Sequence, residues 1–473
     1  MRTSFGEYLF IGGAQFNGGD VTGVHGEDDL WLTKFAANGD LVWQKALGGT
    51  GSDFGMHVIE ATDGGFVCAG RSDSNDGDVT GNHGEADAWV VKTNGAGVIE
   101  WEKSLGGSGT ELAWDILQTS DGGFVMVGEA ASTDGDVSGN LGANDLWVVR
   151  LNSTGELLWE QSYGGSSSDW ATTVSQCPNG NLLVAGTTSS SDLDVTGFHG
   201  GGTDIWAIML NASGELLWQR ALGGSGFDVG ACSLVDDAGI YVAGRTASDD
   251  GDVTSSFGSD DAWLVSLSEQ GDILWQSSFG GTGNESARGV DRNPDGGLFL
   301  AGSTNSTNGQ VSSNHGGFDA WVLKVDAQGA LVWEKSLGGS NDDSAADLLD
   351  LPDGGYLVTA YSSSVDGDLS GNNGNIDFWA VKLTSEPIGI SEDPDRTSAY
   401  LFPNPTQDEV WIQSPSGECI QQADFLDAAG RLCRSFASPM RTALDVSALE
   451  PGNYFCRMRT ANGLVRALSF IKE

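Results

Sequence analysis

The chain has 473 residues, room for one large repeat domain and one small domain. With 71 glycines but only 10 prolines, and with 16 tryptophans, it is neither collagen-like nor a disordered acidic chain, which would be poor in aromatics. Its formal charge of −44, from 22 basic and 66 acidic side chains, repels phosphate backbones, excludes nucleic acid as a partner, and attracts divalent cations or basic partners. The sequence has no apolar run of about 18 residues, so no transmembrane segment is predicted, and it shows no basic-then-apolar leader.

In chain order, residues 3–8 (TSFGEY) line up with residues 119–124 (TSDGGF). The chain therefore opens inside a repeating unit, and this reading places the true start upstream of Met1. From there Trp31, Trp89, Trp147, Trp206, Trp263, Trp321 and Trp379 recur at steps of 57 to 59 residues, each two residues after an aspartate. A second series, Trp43, Trp101, Trp159, Trp218, Trp275 and Trp333, keeps the same step and is followed by a glycine pair, as at Gly48-Gly49 and Gly106-Gly107. A period of this size is the mark of a solenoid or a propeller.

One unit shows the local structure. Residues 145–151 (DLWVVRL) and 156–162 (ELLWEQS) are β-rich runs joined by Asn152-Ser153-Thr154-Gly155, a hairpin loop. Residues 169–177 and the LLVAG run from Leu182 supply third and fourth strands around a turn at Pro178-Asn179-Gly180-Asn181. No amphipathic helical run appears, so the expected fold is all-β: a β-propeller of about seven four-stranded antiparallel blades over residues 1–386. Both faces of the D-x-W strand are largely apolar, and the tryptophan is expected to pack between blades.

A long spacer precedes each D-x-W. It carries paired acids, and its closing glycine (Gly26, Gly84, Gly142, Gly200, Gly258, Gly316, Gly374) suggests a positive φ. Acids flanking one residue in a tight loop are hard oxygen ligands, so calcium is the cofactor expectation. Its candidate ligands are Asp73, Asp76, Asp78 and Asn82 in the second unit, then Asp134 and Asp136, Asp192 and Asp194, Asp250 and Asp252, and Asp366 and Asp368. The spacing is not that of an EF-hand, one copy reads Asn308-Gly309-Gln310, and turn chemistry alone also explains such residues. His25, His83, His199 and His315 share one loop position that Leu141, Phe257 and Asn373 fill elsewhere, which argues against catalysis there. His57 has no Ser or Cys partner in sequence to suggest a triad. The sevenfold D-x-W aspartates read as architecture, whereas positions that break the repeat (Trp114, Trp170, Glu111, Glu285, Arg71, Arg245) are better suspects for a single asymmetric site.

The last unit stops after DFWAVKL (377–383) without its second tryptophan strand, and residues 387–399 form a polar linker. Residues 400–473 then alternate strands and turns as a small β-sandwich, with Phe402-Pro403-Asn404-Pro405-Thr406 first, Asp445-Val446-Ser447-Ala448-Leu449 with Pro451-Gly452-Asn453-Tyr454 at the centre, and Phe470-Ile471-Lys472 at the end. The six cysteines form no C-x-x-C pair, and with three per region complete pairing within each is impossible; a bridge among Cys419, Cys433 and Cys456 stays open beside free thiols.

This C-terminal set resembles the type A sorting domain of the type IX secretion system of Bacteroidota, with Pro403, Asn404, Pro405, Gly452, Tyr454 and Lys472 as the sorting motif. The repeats resemble the Gly/Trp-rich propellers attached to such domains. The resemblance implies the type IX secretion machinery as a partner and an extracellular or outer-membrane surface location. The functional expectation is a non-catalytic binding or adhesion propeller with a carbohydrate or protein ligand. Its rivals are a secreted carbohydrate-active enzyme with its site in the propeller channel, and a calcium-stabilised surface-layer component.

Overall fold

The computed structural model describes residues 1–293, 295–351, 355–372 and 374–383, and in the C-terminal region 400–402, 409–413, 420–427, 431–437, 444–449, 451–460 and 465–472. Every regular element among them is a β-strand. Strands between 8 and 383 form seven consecutive antiparallel sheets: blade 1 (8–47), blade 2 (53–105), blade 3 (111–163), blade 4 (169–222), blade 5 (228–279), blade 6 (285–337) and blade 7 (343–383). Blades 2 to 6 have four strands in plain sequence order; blades 1 and 7 have three. The first strands of blades 2 to 7 lie against one another, which makes them the inner, axial strands. Blade 7 packs back on blade 1, where Phe10 and Phe378 meet edge to face at 5.4 Å over a core of Phe10, Leu351 and Leu357. The ring is a closed seven-bladed β-propeller.

The expected unit has the right strands but the wrong phase. The 169–176 and 182–188 strands pair with 204–210 and 216–222 rather than with the 145–163 hairpin. Gly164-Gly165 and its counterparts are therefore crossings between blades, pinned by short parallel bridges such as Asn144 to Ser168 and Ala86 to Thr110. Blade 1 lacks an inner strand, and residues 1–3 supply only a stub, with Met1 and Leu9 exchanging backbone hydrogen bonds of 2.9 and 3.0 Å. Among the described residues, blade 7 has no outer strand.

The tryptophans pack as the alternation predicts. Trp89, Trp147, Trp206, Trp263 and Trp321 are fully buried, each contributing several kcal/mol. Trp147 of blade 3 sits in one cluster with Val67, Ala69, Ala88 and Val90 of blade 2, so the indole forms the layer between blades. Trp31 and Trp379 are only half-buried, because they lie in the two three-stranded blades on either side of the closure. The second series is half-buried at the hairpin end of the blades, where the first five indoles are each covered by the hairpin glycine of the next blade: Gly97 on Trp43, Gly155 on Trp101, Gly214 on Trp159, Gly271 on Trp218 and Gly329 on Trp275. These glycines have φ of +72° to +83°, so they are required both for the turn and for the close approach.

Each of the six inner strands carries a β-bulge after its third residue, at Met56, Trp114, Thr172, Ala231, Arg288 and Ala346. The extra residue opposes no partner, which frees its side chain from the ladder.

The described strands of the C-terminal unit form a three-stranded and a four-stranded sheet around Val410, Phe425, Leu444, Tyr454, Cys456 and Met458. The described cysteines, Cys68, Cys177, Cys232, Cys433 and Cys456, are free thiols, and burial pushes Cys68 up to about 12. Cys419 lies outside the described residues.

Candidate functional site

The loops that precede the D-x-W strands gather at one rim of the ring, where each crossing segment is clamped between the loops of two blades. At the junction of blades 1 and 2, Asp76 accepts the Thr50 amide at 2.7 Å, Asp73 accepts the Ser52 amide at 2.5 Å, and Asp78 both donates its amide to the Gly48 carbonyl and accepts the Gly48 amide. Asn82 donates to the Ser72 carbonyl and accepts from Gly84. The same bonds recur with Asp134 and Asp136, Asp192 and Asp194, Asp250 and Asp252, and Asp366 and Asp368. Backbone hydrogen bonds hold the Asp134, Asp192 and Asp250 carboxyls below the ordinary range. The acids expected as calcium ligands thus face amides, and among the described residues no three His, Cys, Asp or Glu side chains converge on a common metal position.

The spacer glycine serves a different purpose from the one expected. Gly26, Gly84, Gly142, Gly258 and Gly316 do not have positive φ; a Cβ on any of them would overlap backbone carbonyls of the crossing segment. In blade 4, which has one extra residue, Gly201 makes this contact, and Gly200 alone of the set has positive φ, +84°. Close approach of two backbones, rather than a left-handed turn, demands glycine here. The middle residue of the acidic pair does have positive φ, and Leu193, at +57°, is the one non-glycine residue in that region of φ among those described.

The D-x-W aspartates 29, 87, 145, 204, 261 and 319 are fully buried and cap their own loop, accepting the amide of residue 25, 83, 141, 199, 257 or 315. Burial raises Asp87, Asp204, Asp261 and Asp319, and it brings Asp145, with Asp169 and Asp194 nearby, to about 6. Glu111 and Glu285 are not repeat-breaking: they stand where Asp53, Asp169, Asp228 and Asp343 stand, buried and accepting the amide of the second crossing glycine. Arg71 stacks on Phe54 at 5.3 Å, and Arg245 pairs with Asp260 at 2.9 Å.

Two of the loop histidines, His83 and His199, line cavities. Nδ1 of His83 is bound to Asp87 at 2.7 Å, and His199 makes the same contact with Asp204, which leaves Nε2 for the junction. Nε2 of His199 lies 3.7 Å from Asp252 of the next blade. A cavity of about 390 Å³ between blades 2 and 3 is lined by Thr80, His83, Glu102, Lys103 and Asp136. One of about 260 Å³ between blades 4 and 5 is lined by Thr196, His199, Gln219, Arg220 and Asp252. The two sets match position for position. Each wall is braced from behind: Trp89 donates its indole N–H to Glu102 at 3.0 Å and Glu102 binds Thr80, while Trp206 donates to Gln219 at 2.8 Å and Gln219 binds Thr196.

The axial wall is the other concave region, and it does not repeat. One ladder position after the bulge holds His57, Asp115, Thr173, Cys232, Gly289 and Asp347 in successive blades. His57 is ion-paired to Asp115; burial lowers its imidazole, and Asp115, with help from Asp347, more than offsets this and raises it. Burial raises Asp347 as well. Trp114, the bulge residue before Asp115, has its indole N–H buried without a hydrogen bond. Trp170, the second residue of the Asp169–Gln176 strand, is half-buried on the same inner strand as Thr173.

Fold and sites together define an all-β propeller of repeated rim junctions, followed by a separate small β unit. Residues 400–472 of that unit match the family described as the secretion system C-terminal sorting domain. The protein is therefore an exported one, extracellular or on the cell surface, and its partner in export is the type IX secretion machinery. Gly452, Tyr454 and Lys472 of the sorting motif lie on the paired Gly452–Thr460 and Val465–Lys472 strands, with Tyr454 and Lys472 buried. Pro403, Asn404 and Pro405 fall outside the described residues. The regulatory protein FlaEY of Caulobacter vibrioides is 29% identical over 168 residues, which is 33% of this chain and 18% of that protein, so the chain spans less than a fifth of that relative. Among solved structures, the extracellular domain of a hybrid two component system from B. thetaiotaomicron aligns over 100% of this chain and 56% of its own at 12% identity, with a TM-score of 0.42. Prolyl oligopeptidase B from Galerina marginata aligns over 94% and 52% at 9% identity, with a TM-score of 0.36. The propeller assignment rests on the sheets themselves.

Proposed function

We propose that this is an exported, non-catalytic binding propeller that presents several equivalent sites around one rim. The observation that carries this reading is the recurrence of one cavity, with one set of lining positions, at two blade junctions. A catalyst requires one asymmetric site, whereas a repeated shallow site gives avidity, because a second contact to the same polymer is intramolecular. The test is solid-phase binding of the full chain to a panel of polysaccharides and matrix proteins, with reducing ends and free peptides assayed in parallel. Retention without turnover is expected; turnover of a retained polymer would overturn the reading.

A second reading, a hydrolase in the channel, draws on the non-repeated axial group His57, Asp115 and Asp347. A glycoside hydrolase requires two carboxyl groups, one of them raised, and Asp347, raised by burial, has the carboxyl of ion-paired Asp115 near enough to act on it. If that reading holds, any turnover in the panel is abolished by Asp347→Asn and by Asp115→Asn while rim binding is unchanged.

A further inference from the structure

The six rim junctions fall into two classes, and the difference runs through two positions at once, with a third, acidic position that changes only at Gln310. The junction of blades 1 and 2 has His25, Lys45 and Asp78; that of 2 and 3 has His83, Lys103 and Asp136; that of 4 and 5 has His199, Arg220 and Asp252; that of 6 and 7 has His315, Lys335 and Asp368. The remaining two read Leu141, Gln161, Asp194 and Phe257, Ser277, Gln310. Histidine and a basic residue arrive together and leave together, and both cavities lie at junctions that have them. In a chain with three acids for every base, none of these four bases makes an ion pair among the described residues, although ion pairs engage Lys34, Lys92, Arg150 and Arg292 elsewhere. Loop architecture does not need the histidine, because the Leu141 and Phe257 amides cap Asp145 and Asp261 just as the His83 amide caps Asp87.

We infer that the four His/basic/Asp junctions are binding sites for a neutral hexose unit of a polysaccharide, and that the junctions of blades 3 and 4 and of 5 and 6 are blanks. This rests on the binding reading above and names its ligand class. The lysine or arginine donates hydrogen bonds, while the neutral histidine, whose Nδ1–H is given to the buried aspartate, offers its Nε2 lone pair as an acceptor beside the aspartate, which lies 3.7 Å from Nε2 at His199 and also accepts. A pair of vicinal hydroxyls needs both roles, since each hydroxyl donates once and accepts. A carboxylated or sulfated sugar fits less well: the larger cavity sets Glu102, Asp136 and Glu156 against the single ammonium of Lys103. A cavity of about 260 to 390 Å³ matches the scale of small-ligand sites and admits one or two sugar rings.

The experiment is affinity electrophoresis of the full chain in gels containing dextran, mannan or galactan, with polygalacturonate as the anionic comparator. The variants restore residues already present at the blanks, so they are compatible with folding: His83→Leu alone, and His25→Leu, His83→Leu, His199→Leu and His315→Leu together, each checked by thermal melting. At least one neutral polymer is expected to retard the chain, the single change to weaken retardation a few-fold, and the fourfold variant to lose it by at least 100-fold with its melting unchanged. Unaltered retardation of a folded fourfold variant overturns the inference, as does stronger retardation by polygalacturonate. Retention of a matrix protein in the earlier panel with no neutral glycan retained also overturns it, and leaves the binding reading standing.

Discussion

The rim junctions and the axial wall are built from the same blades but differ in what repetition permits. At the rim, a buried aspartate, a buried acid of the next blade and a crossing glycine recur at each of the six crossings, while the cavity-lining residues around them vary, the histidine together with the basic residue, and Glu102 against Gln219. At the axis the position after the bulge changes from each blade to the next, with aspartate alone recurring, at Asp115 and Asp347. Repetition therefore marks what holds blades together, and departure from it marks surface left free for ligands.

The largest effect expected is at the glycine that pairs with the D-x-W tryptophan in blades 2 to 6. Gly128→Ala would drive a Cβ into the Leu112 carbonyl of its own blade, and Gly70, Gly186, Gly244 and Gly302 occupy equivalent places. A loss of about 4 kcal/mol or failure to fold is expected, measured by urea denaturation. Trp147→Ala should cost about 3–5 kcal/mol, and Trp379→Ala in the three-stranded blade 7 less than half as much, because that indole is already half-exposed. Equal losses would show that the inter-blade layer is not what the tryptophans stabilise.

Next is the buried Asp145. Its folded pKa of about 6 lies above the unfolded value of about 3.9, so the folded state holds the extra proton. Its contribution is fully present below about pH 4, declines as pH rises to about 6 and is flat above, a loss of at most about 3 kcal/mol. Asp145→Asn should remove that decline, giving a variant whose melting temperature gains on the parent between pH 4.5 and 7.5. Smaller still, Leu193→Gly should stabilise by about 1 kcal/mol by relieving its left-handed backbone, read as a shift in denaturation midpoint. Smallest of all, EDTA should leave the melting temperature within about 1 °C, since amides already occupy the acidic loops. Melting several degrees higher with added calcium would return those carboxylates to a metal role.

The period made the strands and the buried tryptophans readable, because a D-x-W strand apolar on both faces can only lie between neighbours. The phase was not readable: a repeat has the same period wherever it is cut, and the Gly-Gly segment resembles a hairpin turn although it crosses between sheets. The spacer glycine was seen but misattributed, since a carbonyl from the crossing segment leaves no trace near Gly84 in sequence. The histidines were dismissed because Leu141 and Phe257 replace them; comparing the loop position with Lys103 and Arg220, about 20 residues on, was the available signal.

The bulge in each inner strand has a consequence for how such a ring can diversify. Met56, Trp114, Thr172, Ala231, Arg288 and Ala346 answer to no ladder partner, and each keeps some access to water. Thr172 and Arg288 also reach the next blade, at the Gly230 carbonyl and the Tyr361 ring, so it is at the other four places that the lumen's chemistry can be re-tailored one side chain at a time with the least disturbance of a seam between sheets.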